Sequence, residues 1–237
     1  MKRLLAFLCL LPLAVPAPAA ERNYSVGNFD RLRIYGPYRI VLTTGQPPSA
    51  VAEGDARATD LLDMRVEGDT LTVRAGPNAW GEQPASTGGT PVIRLSTRTL
   101  RGVMLIGSGD LTIVGPVRGQ KIDLALSGSG ALRADAIDAD QFSATTTGSG
   151  RMTLAGRAAK ARLSNNGPGG MQAGGLVAGD LALSADGGGD MVAQAKFTAT
   201  VAARGIGAVT VYGAPACTLR GTPNGPVTCG AALPPTP

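Results

Sequence analysis

A glycine corner that returns about every twenty residues constrains this chain more than any other feature. Gly-x-Gly occurs as Gly107-Ser108-Gly109, Gly128-Ser129-Gly130, Gly148-Ser149-Gly150, Gly167-Pro168-Gly169, Gly187-Gly188-Gly189 and Gly205-Ile206-Gly207. The steps between the first glycines are 21, 20, 19, 20 and 18 residues. Chance recurrence in a chain with 34 glycines would leave the flanks random, and they are not. Four residues after each first glycine stand Leu111, Leu132, Met152, Met171, Met191 and Val209; six after stand Ile113, Ala134, Leu154, Ala173, Ala193 and Val211. The position between is mostly polar: Thr112, Arg133, Thr153, Gln172, Val192 and Thr210. Four residues before each corner come Val103, Leu124, Ala144, Leu163, Leu183 and Val201.

Apolar residues two apart on both sides of a corner describe strands with one face in and one face out. A helix has the wrong spacing, and each glycine in it would cost about 1 kcal/mol. A repeat near twenty with two or more strands predicts an all-β fold, a single-domain parallel β-helix whose coils stack about 4.8 Å apart. At the corners, glycine permits positive φ and close approach of successive backbones. Ser108, Ser129 and Ser149 extend a hydroxyl ladder that ends at Pro168, Gly188 and Ile206. An aromatic share of 4% suits a narrow core of Leu, Val, Ile, Met and Ala, with Phe142 and Phe197 as local fillers.

The ends differ from the repeat. Lys2 and Arg3, the apolar run Leu4 to Leu13 and Ala17-Pro18-Ala19 read as a secretory signal over residues 1–20, with an apolar run too short to span a bilayer. Residues 21–105 are expected to form an N-terminal cap and the first irregular coils. They contain strand-like runs at Leu32–Ile34, Tyr38–Leu42 and Leu71–Val73, and a helical turn over Ala58 to Met64. A hairpin turns at Gly68-Asp69, and a loop from Ala75 to Thr90 carries Trp80. Residues 106–216 are the regular repeats. In 217–237, Cys217 and Cys229 are the two cysteines left after the signal, an even pair that predicts a disulfide closing the last coil; Leu233 to Pro237 are expected to form a disordered tail.

With this order of elements the chain resembles the GIN domain family, described as the head domain of putative auto-transporter adhesins. The resemblance rests on Phe29-Asp30-Arg31-Leu32-Arg33-Ile34 followed by Gly36-Pro37-Tyr38-Arg39-Ile40-Val41-Leu42, on Val66-Glu67-Gly68-Asp69-Thr70-Leu71-Thr72-Val73, and on the Gly-Ser-Gly corners at Gly107 and Gly128. It covers about residues 28 to 213. It implies an exported parallel β-helix without an established reaction and supplies no catalytic residues. The later corners, Gly-Pro-Gly, Gly-Gly-Gly and Gly-Ile-Gly, depart from the family's Ser-rich form, so no continuous Ser or Asp ladder is expected.

Chemistry is sparsely provided. With no histidine, Ser-His-Asp triads, Cys-His dyads and His-ligated metals are excluded. Polysaccharide-cleaving β-helices need carboxylates on adjacent coils, whereas Asp110 and Asp190 are four coils apart, about 19 Å. Asp135, Asp138 and Asp140 are the remaining acidic cluster, a candidate calcium patch set against a solvated connecting loop. No Lys-Ser or Lys-Thr follows a corner, as a phosphate loop would require. Without Lys2 and Arg3 the formal net charge falls from +5 to +3, and the basic residues are scattered, which argues against nucleic acid. Arg151, Arg157, Lys160 and Arg162 form the densest basic run, read as a solvated face or as a contact for an anionic glycan. No cofactor is called for. The expectation is a monomeric, non-catalytic envelope protein, periplasmic or at the cell surface, that binds glycans or surface proteins or acts as a scaffold. The alternatives are a carbohydrate-active lyase or hydrolase and an end-to-end self-assembling scaffold.

Overall fold

The computed structural model describes residues 20–76 and 90–232. The expected signal up to Ala19, the Trp80 segment (77–89) and the tail 233–237 lie outside the described residues. In chain order the elements are β1 (Ala20–Tyr24), β2 (Arg31–Tyr35), β3 (Arg39–Thr44), β4 (Ser49–Gly54), α1 (Ala56–Asp60), β5 (Leu62–Glu67), β6 (Thr70–Ala75), β7 (Val92–Thr97), β8 (Gly102–Gly107) and β9 (Asp110–Val114). They continue as β10 (Val117–Gly128), β11 (Ala131–Thr147), β12 (Arg151–Asn166), β13 (Gly170–Ala185), β14 (Met191–Ala203), β15 (Val209–Tyr212), β16 (Ala216–Leu219) and β17 (Val227–Ala231).

The alternating residues become columns. In parallel register Leu111 pairs with Leu132, Leu132 with Met152, Met152 with Met171, Met171 with Met191 and Met191 with Val209. The column extends below through Ile40 and Ile93 and above to Val227. A second runs Leu71, Leu32, Val103, Leu124, Ala144, Leu163, Leu183, Val201 and Leu219. From Leu71 to Val201 every member is buried, so the β-solenoid has one continuous aliphatic core.

Each regular coil has three walls. In β11 they are Ala131–Ala134, Ile137–Ala139 and Gln141–Thr147, each with its own register partners in β12. The two glycines of a corner serve different needs. Gly148 has φ +100, where a Cβ is strained, and a Cβ there would also stand 2.7 Å from the Gly128 carbonyl oxygen. Gly150 has no positive φ; its Cβ would meet the Gly130 oxygen at 2.6 Å and Leu126 Cδ2 at 2.8 Å. The corner ladder is longer than the repeat suggests. Gly107 lies against Gly36, and Gly225 against Gly207, which adds a rung at each end.

The N-terminal segment folds in an order that periodicity does not disclose. The β2–β3 coil lies between the later β6–β7 coil on one side and β8–β9 on the other. Beyond β6 and β7 the stack ends in antiparallel strands: β5 on β6, with the expected turn at Gly68-Asp69, and β4 on β7 followed by β1 on β4. The helical turn is displaced from Ala58–Met64 to α1, because the Asp55 carboxylate accepts from the Ala58 amide at its start and Leu62–Met64 pair with β6. At the other end Cys217 and Cys229 form a disulfide between β16 and β17, with Cα atoms 6.4 Å apart. Cys217 continues the column of Ala199, and Cys229 that of Val211.

Candidate functional site

The third wall carries a groove of about 520 Å³ that crosses β10 to β14. Its floor follows from register. Lys121, Gln141, Lys160, Asp180 and Thr198 make one row across five coils. Asp123, Ser143, Arg162, Ala182 and Thr200 make the next. These residues alternate with buried Ile122, Phe142, Ala161, Leu181 and Ala199, so the core fixes which side chains the wall presents.

One end of the groove is shaped by an irregularity. Ala178 pairs with Ala195 and Asp180 with Thr198, so Lys196 and Phe197 together face the single residue Gly179. This two-against-one β-bulge turns both side chains outward. Phe197, expected as a packing residue, is 67% exposed, whereas Phe142 is buried as expected. Its ring lies 3.6 Å from where a Gly179 Cβ would stand; Phe197 does not itself line the groove but immediately precedes Thr198, which does.

The basic run is divided among the walls. Arg151 lies on the first, in register with Asp110 through Ala131. Arg157 lies on the second and donates to Asp138 through Nε at 2.8 Å and Nη2 at 2.9 Å. Lys160 and Arg162 reach the groove of the third, and neither makes an ion pair among the described residues. Most other arginines are neutralised: Arg94 by Glu53, Arg101 by Asp30, Arg133 by Asp135 and Arg204 by Asp186. Within the groove, Lys121 stands 3.8 Å from Asp123, and the Thr198 hydroxyl donates to Asp180 at 2.7 Å.

The acidic cluster is spread by the same geometry. Asp135, in the bend after the first wall, accepts from Arg133 at 2.6 Å, and Asp138 sits on the second wall between Arg157 and Arg118. Among the described residues no three acidic or cysteine side chains converge as they would around a metal ion. The hydrogen bonds from Arg157 hold the Asp138 carboxyl below its usual range. A carboxyl titration followed by NMR should therefore place the Asp138 midpoint below that of free aspartate, and Arg157→Ala should raise it. With a depressed folded-state value, the stabilisation is present above the unfolded-state pKa and is lost as pH falls through the folded one.

Asp123 and Asp180 are three coils apart, about 14 Å at the stacking distance, too far to share a glycosidic bond as acid and base. Two buried polar side chains, Thr146 and Asn165, also escaped the sequence reading. They are register partners inside the stack, and the Asn165 amide donates to the Gly169 carbonyl at 2.6 Å, bracing its corner from within.

The family model described as "Putative auto-transporter adhesin, head GIN domain" matches residues 28–215. Among solved structures, a putative adhesin from Bacteroides fragilis superposes with a TM-score of 0.80 at 23% identity, over 90% of this chain and 96% of its own. A putative adhesin from Parabacteroides distasonis gives 0.69 at 17% identity, over 90% and 97%. A protein from the same organism, described as a putative lipid binding protein, gives 0.64 at 16%, again over 90% and 97%. At these identities the likeness is one of fold. No curated protein matches the chain.

Proposed function

The chain belongs to the GIN domain family of putative auto-transporter adhesins, and from that membership we propose that it is an exported, non-catalytic binding module of the cell envelope. The observation that carries the reading is the groove of the third wall: five coils of exchangeable polar contacts on a rigid stack, with Lys160 and Arg162 left without ion-pair partners. A surface built by repetition spreads affinity over many weak contacts. The 14 Å between Asp123 and Asp180 supports binding over hydrolysis. Export is supported by the signal-like N-terminal sequence and by the Cys217–Cys229 disulfide, a bond suited to an oxidising compartment. No helix among the described residues is long and apolar enough to cross a membrane.

Incubation of the purified protein with envelope and plant polysaccharides tests the absence of catalysis. The expected result is retention of intact polymer on the protein with no new chain ends. Steady release of unsaturated or reducing ends would overturn the reading. Fractionation of the producing cells tests export, which predicts the chain outside the cytoplasm and lacking its first residues.

A further inference from the structure

We propose that the third-wall groove binds an acidic polysaccharide, a chain of sugars bearing carboxylates, laid along the stack axis with one sugar ring against Phe197. This deepens the binding-module reading and rests on it. Three independent features of the groove converge on that chemistry.

The first is the spacing of charge. Lys121 and Lys160 occupy the same row two coils apart, about 10 Å along the axis. Arg162 stands on the same strand as Lys160 in the neighbouring row. Each cation can reach a separate carboxylate on an extended ligand, and a guanidinium holds a carboxylate in bidentate fashion. Lys160 and Arg162 are free to do so without breaking an ion pair.

The second is what lies between the cations. Gln141, Ser143, Asp180, Thr198 and Thr200 offer amide, hydroxyl and carboxylate groups to a ligand rich in hydroxyls. Asp123 and Asp180 would repel a densely charged polymer such as a nucleic acid, while a polymer with one charge per sugar can set its hydroxyls against them. The groove is open and polar and lacks the desolvated apolar centre on which a protein partner would anchor.

The third is Phe197. A phenyl ring 67% exposed in a chain with only four phenylalanines is held there by backbone: the bulge puts Lys196 and Phe197 opposite Gly179. A Cβ at residue 179 would stand 2.5 Å from the Ala159 carbonyl oxygen, while the ring at 3.6 Å would be in ordinary contact with it. Bulges commonly re-aim a side chain beside a site. Here the bulge leaves an exposed apolar ring next to Thr198, just outside the groove's lining, against which the C–H face of a sugar ring that overhangs the groove can stack.

Isothermal titration of the full chain with oligogalacturonate, with its fully methyl-esterified form and with phosphatidylglycerol vesicles tests the proposal. Oligogalacturonate should bind, more weakly as salt rises, and the ester about tenfold more weakly. Lys160→Ala, Arg162→Ala and Phe197→Ala should each weaken binding about tenfold. All three side chains are exposed, so their thermal unfolding should match the parent. Arg151→Ala, an exposed cation on another wall, should leave affinity unchanged. Equal binding of the ester, indifference to Lys160→Ala and Arg162→Ala, binding of vesicles in place of the glycan, or no binding of oligogalacturonate would each overturn the acidic-polysaccharide assignment. None of these produces new chain ends, so they are distinguishable from failure of the non-catalytic reading.

Discussion

Gly150→Ala is expected to cost about 3 kcal/mol or more, an effect usually reserved for disruption of a large core side chain. The residue is buried and needs no positive φ, so its conformation is open to alanine. The obstacle is the adjacent coil. A methyl group would lie 2.6 Å from the Gly130 oxygen and 2.8 Å from Leu126 Cδ2. Backbone cannot rotate aside as a side chain can, so relief would require separating two coils and stretching their hydrogen bonds. Gly150 also receives the next rung, because the Cβ positions of Gly169 crowd its own backbone. Two controls isolate the cause. Gly221 has φ +79 with open space around it, so alanine there should cost about 1–2 kcal/mol from backbone strain alone. Gly27 has neither positive φ nor a neighbour within 4 Å, and alanine there should be close to neutral. Urea unfolding of the three variants reads the order directly. A Gly150→Ala midpoint equal to that of Gly27→Ala would mean that coil spacing does not depend on the corner glycines.

The same corner shows why so much of the fold was legible. Leu111, Leu132, Met152, Met171 and Met191 share an offset from their glycines, and because successive coils are nearly equal in length that offset becomes a column. Periodicity reports equality between neighbours, and it fails where neighbours in space are not neighbours in sequence. The excursion through β4, α1 and β5 brings β6 and β7 back beneath β2 and β3, and nothing in Leu32–Ile34 or Leu71–Val73 specifies which lies outside. The groove was half legible. Lys160 and Arg162 stood in the basic run, but that run crosses two bends, so only these two share a wall. Phe197 looked like a core residue because an aromatic in an apolar sequence usually is; one extra residue between Ala195 and Thr198 reverses its direction, and such an insertion is visible only once the pairing with Gly179 is known. Thr146 and Asn165 share the offset two residues before each corner. It holds Leu105, Leu126, Ala185 and Ala203 in other coils; Asn165 survives there because an open corner carbonyl lies within its reach, whereas the Thr146 hydroxyl finds no partner and nothing in the structure explains it.

Removing the disulfide, by Cys217→Ser with Cys229→Ser or by reductant, should cost about 3 kcal/mol in the chain-entropy account of a loop this short. The loss should fall chiefly on the last coil. In a stack where each coil touches only its neighbours, stability is a sum of local terms, and an end coil has one neighbour instead of two. β16 has little else to hold it: all four of its residues are exposed, Leu219 by 50%, although Leu219 ends a column buried from Leu71 to Val201. The N-terminal end is closed differently, by antiparallel β1 and β5, which cover the stack without a crosslink. At the C-terminal end the cystine itself occupies the positions above Ala199 and Val211 where aliphatic side chains would otherwise sit. Hydrogen exchange should therefore show β16 and β17 losing protection on reduction, β14 and β15 weakening next, and β10 to β12 hardly changing. The groove reaches Thr198 and Thr200, whose strand pairs with β16, so reduction should also loosen its Phe197 end while leaving Lys121 unaffected. Uniform loss of protection along the chain would instead mean that the coils unfold as one unit. Unchanged exchange in β16 and β17 would mean that backbone pairing alone closes the stack.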